Sequence, residues 1–197
     1  MQRVVLASSN AGKLIELREL LADSGIELIA QSDLGIDDAE ETGLTFVENA
    51  ILKARHAAHL SSLPALADDS GLCVKALGGA PGLYSARYAG THGDVAANNQ
   101  KLLDTMRGLP DGNRNAHFQC SLALLQSAED PSPLIAEGRW YGTILHAPRG
   151  SGGHGYDPLF FDPPSGLGAA EMSCADKSRI SHRGKALVAL RAALAGG

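Results

Sequence analysis

Ser8-Ser9-Asn10-Ala11-Gly12-Lys13 stands where a short apolar strand pattern gives way to a helical one. Backbone N–H groups at a helix start, with a lysine beside them, suit a phosphate. They suit a capped helix with a solvated lysine equally well. The segment is not a P-loop: Ala7 occupies the first glycine position, and Leu14 stands where Ser or Thr would meet a metal. Asp68-Asp69 closes a second apolar run. Carboxylates at a strand end in an α/β sheet face the usual ligand crevice. Adjacent strand residues point to opposite faces, so one of the two is expected to enter a site. Glu40, Glu41 and Glu48 can add another carboxylate. Asp37 and Asp38 read as a solvated acidic loop.

Gly150-Ser151-Gly152-Gly153-His154-Gly155 formally satisfies G-x-G-x-x-G. Tyr156-Asp157-Pro158 follows it instead of a helix, so a dinucleotide fold is not expected. It fits a loop that approaches a ligand closely, or merely a tight connection. Lys177, Arg179, His182, Arg183 and Lys185 form a basic cluster that fits a polyphosphate, a base edge or a solvated turn. His56 and His59 lack a third ligand nearby and read as an exposed pair. No Ser/His/Asp set or activated cysteine stands out. Carboxylates, lysines and a glycine-rich loop together point to magnesium-assisted phosphate chemistry.

The elements that must hold these residues alternate. Arg3 to Ala7 reads as a strand, Lys13 to Ala22 as a helix with Leu14, Leu17 and Leu21 on one face, and Ile26 to Ala30 as a strand. Thr45-Phe46-Val47-Glu48 fits a capping box for a helix running to about Leu60. Leu63 to Ala67 reads as a strand stopping at Asp68, and Leu72 to Ala76 as a separate one. Asp94 caps an expected helix from Val95 to about Leu109. Ala116, Phe118, Cys120, Leu122 and Leu124 alternate, marking a long strand whose antiparallel partner is Leu134 to Tyr141. A short strand is expected around Leu159 to Phe161, and a last helix over residues 181–195. Interleaved helices and strands make the fold class α/β with a mixed sheet.

The chain of 197 residues can build a core without staples. A net charge of −5 argues against a nucleic-acid coat or a polybasic membrane binder. No apolar run exceeds five residues, which excludes a transmembrane helix. The opening Met1 to Leu6 is too short for a signal peptide, so the cytoplasm is the expected address. Cys73, Cys120 and Cys174 carry no C-x-x-C and are odd in number; buried free thiols are expected.

At these same residues the sequence resembles the inosine triphosphate pyrophosphatase family. The resemblance rests on six ordered blocks: Ser8 to Lys13; Glu40 to Phe46 with Glu48-Asn49-Ala50 and Lys53-Ala54; Ala67 to Leu72; Gly78 to Gly82 with Ser85-Ala86-Arg87; Gly155 to Pro158; and Lys177-Ser178 with Ser181 to Gly184. It implies a single pyrophosphatase domain over residues 1–197, with an elongated mixed sheet, helices on both sides, and two lobes enclosing a nucleotide cleft. It also implies a Mg²⁺ requirement, a homodimer, and hydrolysis of dITP, ITP and XTP to monophosphate and pyrophosphate. Carried over by position, Ser8, Ser9, Asn10, Ala11, Gly12 and Lys13 hold the triphosphate, and Lys53 adds positive charge. Asp69 binds magnesium and accepts the proton of the attacking water, and Glu41 is the second acidic residue near the metal. Ser70 contacts substrate, while His154, Gly155, Tyr156, Asp157, Lys177, His182 and Arg183 hold the base and adjoining groups. The chain departs from the family pattern twice: His154 stands where Phe is usual, and Ser8-Ser9 where Thr-Gly is frequent.

Overall fold

The computed structural model describes residues 2–9, 11–21 and 25–196. Seven strands form one mixed sheet in the order β2-β1-β3-β4-β5-β6-β7. They are β1 (Gln2–Leu6), β2 (Ile26–Ala30), β3 (Ala65–Val74), β4 (Asn115–Leu125), β5 (Leu134–Ile144), β6 (Phe160–Asp162) and β7 (Leu167–Gly168). The helices are α1 (Ala11–Leu20), α2 (Phe46–Ser61), α3 (Val95–Thr105), α4 (Cys174–Ile180) and α5 (His182–Ala195). β1 pairs in parallel with β2 and with β3, which gives the expected β-α-β opening. β6 runs antiparallel to β5 and to β7. The side-chain pairs His117/Tyr141 and Gln119/Arg139 step in opposite directions along β4 and β5, as in an antiparallel ladder.

The chain divides into two compact units. The first comprises residues up to Asp69, Cys120–Gly138 and the segment from Ala186. Strand alternation sorts its core into two faces. Val4, Leu6, Leu66, Leu122 and Leu124 pack with Leu17 of α1, with Leu21 just beyond its end, and with Leu187 and Leu190 of α5. Val5, Ala7, Ala65, Ala67, Ala123 and Leu125 pack with Ala50, Ala54, Ala57 and Ala58 of α2. Alanines along one α2 face let that helix lie close to the sheet. Thr45 caps α2 by accepting from Glu48 N–H, while Glu48 accepts from Leu44 N–H, so the cap is set locally as expected.

The second unit comprises Ser70–Gln119 and Arg139–Lys185. Its core gathers Leu72, Val74, Leu102, Met106, Phe118, Trp140, Tyr156 and Phe160. The buried Arg114 guanidinium donates to Met106 O, Ile144 O and Leu145 O. It thereby closes the end of α3, which stops at Thr105 instead of near Leu109.

Three other expectations change. The two strands drawn on either side of Asp68-Asp69-Ser70-Gly71 are one continuous strand, β3. α1 begins at Ala11, two residues before Lys13, and the expected end at Ala22 lies outside the described residues. α4, unforeseen in the sequence, starts where Ser173 accepts from Asp176 N–H. Of the cysteines Cys120 is buried, but Cys73 is half-buried and Cys174 exposed. No helix among the described residues is long and apolar enough to cross a membrane.

Candidate active site

β3 carries its polar residues through the sheet because each meets a partner from a different helix. Asp68 lies on the strand face shared with Leu66, the side of α1, and its carboxylate receives Lys13 Nζ at 2.7 Å. Asp69 lies on the face of Ala67, the side of α2, and Lys53 Nζ meets its Oδ1 at 2.8 Å. The same ammonium donates to Glu41 Oε1 at 2.9 Å. Lys53 and Asp69 are largely buried and Glu41 is more open. The opposed faces expected of Asp68 and Asp69 are observed, yet each is matched by its own lysine.

Asn49 completes this group, and the sequence reading assigned it no role. Its Nδ2 donates to Asp69 Oδ2 at 3.3 Å, and its Oδ1 accepts from Gly43 N–H at 2.8 Å. Its spacing of four from Lys53 puts both on one face of α2, which is the signal that could have found it. A Cβ on Gly43 would fall 2.7 Å from Asn49 Oδ1, so only glycine lets the chain near Glu41 come this close.

The charges respond to this packing. Burial raises the Asp69 pKa, outweighing the lowering by Lys53 and Asn49, and Glu41 pushes it further up. For Lys53, burial works downward, but Asp69, Asp68 and Glu41 together hold it above the ordinary lysine value. A carboxylate kept in hydrogen-bond order with a raised pKa is suited to take a proton from water.

The start of the chain is placed in part. Ser8 N–H bonds Leu6 O in a turn, Ala11 and Gly12 open α1, and Asn10 lies outside the described residues. Ser9 Oγ donates to Asp38 Oδ2 at 2.7 Å, and buried Gln31 donates to Asp38 Oδ1 at 2.5 Å. Asp38 is exposed in a loop, as expected, and its carboxylate also clips the turn that precedes α1. Ser62 is the one non-glycine residue with positive φ among those described, so Ser9 needs no glycine-like backbone. His56 contacts Asp37 O, and His59 is exposed.

The second unit collects the remaining residues. His154 is exposed, and its N–H donates to buried Asp157 Oδ2, which also pairs with Lys177 Nζ. A Cβ on Gly153 would collide with that carboxylate, so glycine is required there. Tyr156 is buried, and its OH donates to Ser85 O at 2.9 Å. His182 stacks on Phe118, with ring centroids 4.8 Å apart and planes at 14°. Arg183 Nη2 reaches Ser70 Oγ at 3.4 Å.

Gly184 sets the spacing of α4 and α5. A Cβ there would lie 1.7 Å from Ser178 O. Gly184→Ala should therefore lower stability by about 2 kcal/mol, roughly 4–8 °C in Tm for a chain of this size. Thermal unfolding by circular dichroism checks this, and an unchanged Tm would show that the two helices yield freely.

Comparison with known proteins bears on the fold and the family. A model of the Ham1 family matches residues 4–193. The dITP/XTP pyrophosphatase of Shigella flexneri is 59% identical over all 197 residues, covering each chain in full. That of Xanthomonas campestris pv. campestris is 61% identical over 191 residues, 97% of this chain and 96% of the relative. The solved structure of a HAM1 protein from Coxiella burnetii superposes with a TM-score of 0.95 at 49% identity, covering both chains in full. With a family model over residues 4–193 and relatives matched over nearly their whole length, the chain belongs to the Ham1 family.

Proposed function

We propose that this chain hydrolyses non-canonical purine nucleoside triphosphates (dITP, ITP, XTP and dXTP) to the monophosphate and pyrophosphate. That activity keeps these bases out of DNA and RNA. The observation that carries the reading is the Lys53 ammonium held between Glu41 and Asp69. It occurs in a chain whose relatives, matched over nearly their whole length, bear the name dITP/XTP pyrophosphatase.

Asp69 accepts the proton of the attacking water. Lys53 holds one of its oxygens and Asn49 the other, so the carboxylate is oriented before substrate arrives. Ser8 to Lys13 receive the triphosphate at the start of α1, with Lys13 aligned by Asp68. Attack falls near the α-phosphorus, and pyrophosphate leaves. Positive charge from Lys13 and Lys53 meets the negative charge on the phosphate oxygens, where most catalysis of such transfers resides.

The donor set fits Mg²⁺. Both carboxylates are oxygen ligands, and both already reach a single cation, the Lys53 ammonium. No three of His, Cys, Asp and Glu gather as a metal cluster among the described residues. Asp69 and Glu41 would thus hold the ion together with substrate phosphates and water, its usual arrangement. When bound, Mg²⁺ supplies neutralisation of the polyphosphate charge.

Ser70, the His154–Asp157 segment, Lys177, His182 and Arg183 hold the base and adjoining groups. Donors aimed at a 6-keto oxygen accept hypoxanthine and xanthine. Adenine presents an amino donor at that place and leaves a donor unpaired. Both compact units serve one pyrophosphatase domain over residues 1–197, since β3, β4 and β5 contribute to each. A cytoplasmic homodimer acting on free nucleotides completes the reading, and rests on the family resemblance.

The test is pyrophosphate release from dITP, XTP, dATP and dGTP, with Mg²⁺ and with EDTA. Release from dITP and XTP alone, abolished by EDTA, is the expected result. Equal release from all four would keep the chemistry and remove the house-cleaning role. Binding without release would leave a nucleotide-binding module.

A further inference from the structure

Asn99, in the second turn of α3, plays no part in the roles above. Its Nδ2 donates to Val95 O at 2.9 Å, one turn back on the same helix. It also donates to Gly155 O at 2.8 Å, across 56 positions of sequence. A carboxamide nitrogen has two hydrogens, and both are committed. Its Oδ1 is buried and has no hydrogen-bond partner among the described residues.

The residues around it form a matching set. Buried Asn98 accepts from Ala89 N–H at 2.6 Å and donates to Ala86 O at 3.1 Å. Tyr156 OH then ties Ser85 O to the segment that contains Gly155. Adjacent asparagines on one helix therefore hold two irregular segments, and Tyr156 joins those segments to each other. The stretch from Gly150 to Gly155 has four glycines in six residues and much backbone freedom to lose. Gly152 N–H ties the middle of that stretch to Ala170 O, and Gly155 O fastens its end to α3, one residue after His154 and two before Asp157.

We propose that Asn99 is a positioning residue for base binding, a latch between two carbonyls that fixes the His154–Asp157 segment to α3. The inference rests on the reading that this segment holds the purine. Asn99 reads no atom of the base in this role, so its loss weakens every purine substrate by one factor. Turnover of bound substrate, which depends on Asp69 and Lys53, changes little.

Two measurements on purified full-length protein test it: hydrogen exchange of the peptide spanning residues 150–157, and kcat and KM for dITP and for XTP. Asn99→Ala should speed exchange in that peptide about tenfold and raise both KM values about tenfold, with kcat within about twofold. Asn99→Asp keeps the shape but sets an acceptor against two carbonyls, and should match or exceed those changes. Thr105→Ala removes a bond to Lys101 O on the same helix and should change none of them. His154→Ala is the comparator and should raise KM without altering exchange near Asn99. If His154→Ala raises KM while Asn99→Ala changes neither exchange nor KM, the latch is wrong and the base site stands. If His154→Ala leaves KM unchanged, the base-site reading fails and the proposal fails with it. A fall in kcat as large as the rise in KM would also overturn a positioning role. Should Asn99→Ala not fold, Asn99→Ser, whose short hydroxyl can still meet Val95 O but does not span to Gly155 O, is read in the same way.

Discussion

Asp69→Asn should lower kcat by about a thousandfold while the protein stays folded, because it removes the proposed proton acceptor and one charge of the proposed metal pair. Stability should change little. Burial raises the Asp69 pKa in spite of Lys53 and Asn49, so the ionised form is less favourable in the fold than in the unfolded chain. Such a group stabilises fully below its unfolded pKa, and that contribution is lost as pH rises through the raised folded value. At neutral pH the ionised carboxylate carries its own burial cost, which asparagine relieves, but it also holds the buried Lys53 ammonium, which keeps Glu41 as its remaining partner. The two effects oppose each other, so Tm of Asp69→Asn should stay close to that of the parent near neutrality. A variant of near-parental turnover with Mg²⁺ would overturn the assignment of Asp69. A large loss of Tm at neutral pH would show that its charge stabilises the fold.

Lys53→Met should be the most destabilising single change in the site, because one ammonium serves two carboxylates. Its removal leaves Asp69 and Glu41 facing each other without a cation. Breaking a mostly buried pair in this way costs about 3 kcal/mol, and turnover should fall at least about a hundredfold. The two effects are separable. Combining Lys53→Met with Asp69→Asn and Glu41→Gln removes the charges together, and replacement of a buried ionic group by neutral residues is often close to neutral in stability. The triple variant should regain most of the lost Tm and none of the activity. Recovery of pyrophosphate release would exclude these residues from the chemistry. Failure to regain Tm would mean that the methionine does not pack in the space of Lys53.

The sequence was most informative where the cause is local. Thr45 caps α2 through Glu48, three positions on and within one turn of chain, and Asp94 caps α3 through Ala97 in the same manner. The apolar faces of α1 and of β4 follow from period alone, and Leu17, Leu21, Cys120, Leu122 and Leu124 are buried as their spacing requires. Six ordered blocks sufficed to indicate the family, since short motifs in fixed order carry far more information together than any one does.

Tertiary structure decided what depends on partners distant in the chain. Asp68-Asp69-Ser70-Gly71 has the composition of a turn, yet it runs inside β3 because Lys13 and Lys53 arrive from separate helices to meet the carboxylates. Asp38 clips Ser9 through a contact 29 positions apart, where local composition suggested only solvent. Asn49 and Asn99 look like ordinary helix-surface residues until Asp69 and Gly155 are brought beside them. Residue types and order therefore determined the elements and the chemistry available to this chain. Which carboxylate meets which lysine, and which loop is fastened to which helix, came only from folding, because a buried charge or amide is tolerated only beside a partner that local sequence does not supply.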